Sequence, residues 1–264
     1  SLCMLLVLGG FTRYSASVWQ TFPGIVEASA RKAPTSARAQ AQYATHLFNA
    51  QRYEESLEVI DAAVRNISSN HPLLLVNRLI IHCQMGVLTA SDFEQVADVM
   101  SKSYYDGRSI KLYTALTESV VMGKCPEVSL SALLDMYEGM VLVPVNANPL
   151  SLGYSHIQYF IGFASAYSDE LPRALAAFEE SLRSRPGSSH AMIMAAHLAT
   201  NEYYDEALDF SEIALTQLEV EDQGILDGAP VSRSDILHFQ DVVRADIEAQ
   251  RNRVQPAPAR DDIG

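Results

Sequence analysis

Basic residues are scarce in this chain: 19 lysines and arginines stand against 32 aspartates and glutamates, a formal net charge of −13. Phosphate backbones are held by clustered cations, so the balance argues against a nucleic-acid-binding surface. Charged residues of both signs amount to only 19% while hydrophobic ones reach 48%, which excludes a disordered chain and is ample for a continuous core. Catalytic motifs are missing as well. No Gly-rich phosphate loop, Gly-x-Ser-x-Gly elbow or His-Glu-x-x-His occurs. Carboxylate pairs such as Glu179 and Glu180 are sequence neighbours that diverge on a helix, so they cannot work as an acid and a base on one substrate. His190 and His197 share a helix face, but no Cys or acidic residue at helical spacing completes a metal site. No catalytic, cofactor-binding or metal-binding residue is expected, and the chain reads as a non-enzyme.

What is present is a repeat. The stretch from Ser155 is echoed 33 residues later from Ser188, each copy pairing two short amphipathic helices around a tight turn. Small residues recur at matching places, Gly162, Ala174 and Ser181 in one copy and Ala195, Ala207 and Ala214 in the other. That period with that alternation signals a helical solenoid. Ala37–Asn70 fits the tetratricopeptide pattern: Ala44 and Leu47 lie on a first helix, Gln51-Arg52 turns, and Tyr53-Glu54-Glu55-Ser56 opens a second, as Tyr204-Asp205-Glu206-Ala207 does later. The middle is divergent. Helices are expected over Pro72–Met85, from a Ser91 cap to about Ser103, over Arg108–Met122 and over Ser129–Leu142. The fold class is all-α, a TPR-like right-handed solenoid of antiparallel helix pairs preceded by the end of an apolar helix. Its expected parts are an apolar membrane exit (1–17), N-terminal repeats (18–142), a bend with two prolines (143–154), two C-terminal repeats (155–218), a loop and capping helix (219–254) and a disordered tail (255–264).

Ser1–Gly10 is uncharged and apolar, and Phe11, Tyr14 and Trp19 follow it. A bilayer crossing needs about 20 apolar residues, so the run suits the last turns of a transmembrane helix with an interfacial aromatic belt. The alternative is a buried first helix of the solenoid. Of the three cysteines, Cys3 falls in this run, Cys83 ends one first-position helix and Cys125 follows the next. Successive first helices run parallel, so the last two thiols belong at one end of adjacent repeats. Both a disulfide, which needs an oxidising compartment, and two separate thiols stay open. The inner faces of the first helices offer Ala41, Thr45 and Phe48 in one repeat and Tyr159, Phe163 and Ala166 in another. With Phe48, Tyr159 and Phe163 as its anchors, the groove reads as aromatic and small rather than basic, suited to an apolar peptide, a helix or a neighbouring domain.

Thr12-Arg13 with Trp19, then Arg31-Lys32-Ala33-Pro34-Thr35-Ser36-Ala37-Arg38-Ala39-Gln40, leads directly into the first repeat. This order resembles the junction between membrane domain and C-terminal repeats in polytopic glycosyltransferases of the transmembrane, tetratricopeptide-repeat O-mannosyltransferase-like type and their bacterial relatives. The likeness runs from Leu2 to about Ala63; later repeats match only as generic TPR. It implies a periplasmic or luminal interaction domain at a membrane, binding a protein acceptor or its own membrane domain. The acidic catalytic residues of that family have no counterpart among these positions. The alternative is a non-enzymatic, membrane-anchored TPR scaffold for an envelope complex.

Overall fold

The computed structural model describes residues 21–220 and 231–254. Among them there are twelve α-helices and no strand. The apolar run and the aromatics Phe11, Tyr14 and Trp19 lie outside the described residues, as do Cys3 and the tail from Gln255. No helix among the described residues is long and apolar enough to cross a membrane. The chain divides into two compact units, at Val145 and Asn146.

The first unit opens with α1 (Phe22–Lys32), whose N-cap Thr21 accepts from the Gly24 amide and whose end precedes the Pro34 turn. Three helix pairs follow: α2 (Ala37–Asn49) with α3 (Tyr53–Asn66), α4 (Pro72–Gln84) with α5 (Ala90–Met100), and α6 (Ile110–Val121) with α7 (Leu130–Val141). A short 3-10 turn, Gly107–Ser109, leads into α6. The cap of α5 differs from expectation. Thr89, not Ser91, closes a reciprocal capping box with Asp92, whose carboxylate accepts from both the Thr89 amide and its hydroxyl. Within this unit the first helices of successive pairs, α2, α4 and α6, pack side by side. Small residues permit the close approaches: Ala44 is fully buried, and Ser56 donates its hydroxyl to the Ala44 carbonyl across α2 and α3 at 2.7 Å.

The second unit holds α8 (Leu152–Ala166) with α9 (Leu171–Ser184), α10 (Ser188–Thr200) with α11 (Tyr204–Val220), and α12 (Arg233–Val254). The hydroxyl of Ser181 on α9 donates to the Ser155 carbonyl on α8 at 2.7 Å, and Ser155 returns a bond to the Ser181 carbonyl at 3.1 Å. Helix α12 is capped by Ser232, whose hydroxyl accepts from the Asp235 amide. It covers the end of the core with Ile236 and Val243, and Gln240 donates to Ser211 and Glu212 of α11.

One turn recurs in every pair. Gln51, Gly86, Gly123, Asp169 and Glu202 each sit at positive φ, between 58° and 68°, just past the end of α2, α4, α6, α8 and α10. The next amide in each case reaches back five residues: Arg52 to Leu47, Val87 to His82, Lys124 to Ser119, Glu170 to Ser165 and Tyr203 to Leu198, at 2.8–3.1 Å. This left-handed C-cap satisfies carbonyls that the helix end leaves open. The middle pairs, divergent in sequence, therefore turn as the regular ones do.

Candidate functional site

Side by side, α2, α4 and α6 leave a cavity of about 530 Å³ along their faces. Its floor follows from the helical spacing of apolar residues: Ala41 on α2, Leu73, Ile80 and Ile81 on α4, Leu112 and Ala115 on α6. Two aromatics stand at its edge. Phe48 is half-buried on α2, while Phe22 of α1 is 69% exposed and meets the His46 ring edge-on at 6.5 Å. The amides of Gln42, Asn49 and Gln84 also line it, exposed. Asn77 is already engaged, accepting from the Thr45 hydroxyl at 3.2 Å and donating to the Leu73 carbonyl at 2.7 Å.

One end is cationic. Arg38 near the start of α2, Arg108 in the 3-10 turn and Lys111 near the start of α6 converge there. Asp106 pairs with Arg108 through two nitrogens, at 2.8 and 2.9 Å, and lies 3.6 Å from Arg38. The Arg108 hydrogen bonds hold the Asp106 carboxyl below its usual range, and the same bonds raise Arg108. A second cavity, about 520 Å³, adjoins this end: Arg38, Leu73, Arg108 and Ser109 line both, and Asp106 and Tyr104 line the second. The expectation of a groove without basic residues is thus corrected for the first unit. Arg108 and Lys111 sit together at the start of α6, and Arg38 joins them from α2, linked through Asp106.

Cys83, in the last turn of α4, and Cys125, just past α6, form a disulfide with Cα atoms 5.1 Å apart. Both residues are buried. The bond ties α4 to the segment that follows α6, another of the three helices that wall the cavity.

Tyr159 and Phe163 are corrected more sharply. They do not line a groove: on α8 they are 5% and 2% exposed, and both rings pack against His197 of α10. The Tyr159 hydroxyl lies 2.9 Å from His197 Nε2, and the Phe163 ring stacks on the His197 imidazole at 3.8 Å. Ala166 is fully buried too. His190 Nε2 lies 2.9 Å from the Ser181 hydroxyl. Burial pushes His156, His190 and His197 down to about 4, with Arg185 adding to the shift of the first two. These histidines are neutral packing and hydrogen-bonding groups. Among the described residues no three His, Cys, Asp or Glu side chains are placed to hold a metal ion.

The fold and the cavity define the chain as an all-α protein of repeated helical hairpins. No protein-family model matches it, and no curated protein matches either. Among solved structures it is similar to YrrB, described as a TPR protein with an unusual peptide-binding site, at 15% identity over 82% of this chain and 97% of that one, with a TM-score of 0.38. It is also similar to a MamA RS-1 ArsTM double mutant, at 14% identity over 71% and 97% of the two chains, again with a TM-score of 0.38. Likenesses this distant carry no argument about a site; the assignment rests on the helices and turns described above.

Proposed function

We propose that the chain is a non-catalytic protein-interaction module of TPR type whose first unit holds a peptide segment of a partner along α2, α4 and α6. The observation that carries this reading is the cavity itself. An apolar floor with exposed amides at its margin suits side chains below and a peptide backbone above. Phe22 is the exposed aromatic expected of an interaction anchor. The test is a peptide display selection on the 264-residue chain, followed by Ala115→Trp, which fills the floor from α6. Selected peptides should lose binding to the variant while its circular dichroism and melting stay as in the parent. Equal capture by parent and variant would place binding elsewhere and sink the proposal.

The finer setting is also proposed: an extracytoplasmic domain of a membrane-bound, glycosyltransferase-like protein, which presents a protein acceptor or packs on its own membrane domain. The buried Cys83–Cys125 disulfide supports an oxidising compartment. The Thr12-to-Gln40 junction supports the membrane context. The upstream coding sequence tests it: many apolar spans with an early acidic loop fit the enzyme, whereas a single span fits a scaffold and refutes it.

A further inference from the structure

The cationic end of the cavity runs against the rest of the chain. In a protein of net charge −13, no Asp or Glu among the described residues lines this cavity, while Arg38, Arg108 and Lys111 do. Asp106 beside them offsets one of the three, leaving two positive charges in excess. Their placement also disfavours the helices that bear them. Arg38 and Lys111 occupy the second residues of α2 and α6, where the helix dipole is positive and a carboxylate would be stabilising; neither helix has an acidic residue in its first turn. The helix dipole gives the cations there no help. They stand beside Leu73 and Leu112, so charge and apolar floor meet within one site.

Resting on the groove reading above, we propose that the bound segment is an acidic–apolar peptide: one bulky aliphatic or aromatic side chain on the floor, with side-chain carboxylates close by facing Arg38, Arg108 and Lys111. Arg108 is held in orientation by Asp106, so it presents a fixed guanidinium edge, while the exposed Lys111 supplies a mobile point charge. Complementary charge of this kind selects among partners and speeds encounter more than it adds affinity, and salt screens it.

The experiment uses four fluorescent 12-residue synthetic peptides with Gly/Ser spacers, amidated at the C-terminus. One carries Phe with two Asp, one Phe with two Asn, one Phe with two Lys, and one two Asp without Phe. Anisotropy titrations of the full chain should show the Phe–Asp probe binding about tenfold more tightly than the Phe–Asn probe at low salt, with the gap closing as NaCl rises. The Phe–Lys probe should bind weakest of the three containing Phe. Lys111→Glu and Arg38→Glu should remove the preference for Asp over Asn, since they reverse the charge at that end. If the Phe-containing probes bind alike, the groove reading stands and the acidic preference is wrong. If none of them binds, both fail. An Asp advantage that appears only with a free C-terminus would assign the cations to a terminal carboxylate and overturn the proposal.

Discussion

Replacing Gly162 by Ala is the sharpest test of the packing, because two effects of opposite sign compete there. A Cβ at this position of α8 would lie 2.3 Å from Phe178 Cδ1, 2.5 Å from Cε1 and 2.9 Å from Cγ. Carbon atoms pack at about 3.5–4.0 Å, so the ring would have to retreat by about 1.2 Å or more. It has no room. Phe178 is fully buried, with the Tyr159 ring 6.3 Å away and Phe210 5.9 Å away. Overpacking of this kind costs about 1–3 kcal/mol, whereas Gly→Ala inside a helix returns about 1 kcal/mol. A net loss of up to about 2 kcal/mol is expected, with steric strain winning over propensity. The measurement is urea unfolding followed by far-UV circular dichroism, repeated in a Phe178→Leu background. There the strain is relieved, and Gly162→Ala should become neutral or stabilising, a coupling of about 1–3 kcal/mol. A Gly162→Ala protein more stable than the parent would show that α8 and α9 are not this close and refute the reasoning.

Two further outcomes follow from the structure. The Cys83–Cys125 bond spans 42 residues, so loop-closure entropy gives it about 4 kcal/mol. Reductant, or a Cys83→Ala/Cys125→Ala variant, should lower the urea midpoint accordingly, and thiol titration of the unfolded parent should find only Cys3 reactive; three reactive thiols would contradict the bond. Acid should weaken the second unit. His156, His190 and His197 titrate near 4 when folded against 6.5 ordinarily, so between those values the unfolded chain binds more protons. Stability therefore falls as pH drops from about 7 towards 4 and is indifferent to these groups above that, with about 2 kcal/mol lost at pH 5 for one uncoupled histidine. Equal urea midpoints at pH 7.5 and 5, or a His197→Gln variant with undiminished pH dependence, would count against it.

Much of the helical plan was legible because small residues mark the close approaches: Ala44, Ala174, Ser181, Ala195, Ala207 and Ala214 are all buried where two helices meet. The middle pairs carried a clearer sign than their divergent periodicity. Met85-Gly86 and Met122-Gly123 put glycine at the left-handed cap, whereas Gln51, Asp169 and Glu202 hide the same position behind residues that seldom adopt it. The site was harder. Helix α8 is buried on nearly every side, with His156, Ile157, Tyr159, Phe160 and Phe163 all shielded, so it has no apolar stripe to distinguish a groove face from a core face. Hydrophobic period finds a face only where another is wet. The cationic end was invisible for a different reason: Arg38 is far in sequence from the neighbouring Arg108 and Lys111 and reaches them only when α2 and α6 both pack on α4.

The disulfide also determines what a protease can do to this chain. Lys102 lies exposed in the turn after α5, between the two bonded cysteines. A cut there leaves two fragments still tied through Cys83 and Cys125, so the nicked molecule migrates as one species until a thiol is added. In a compartment that is both oxidising and proteolytic, the covalent strap preserves the walls of the cavity after the backbone between them has been severed.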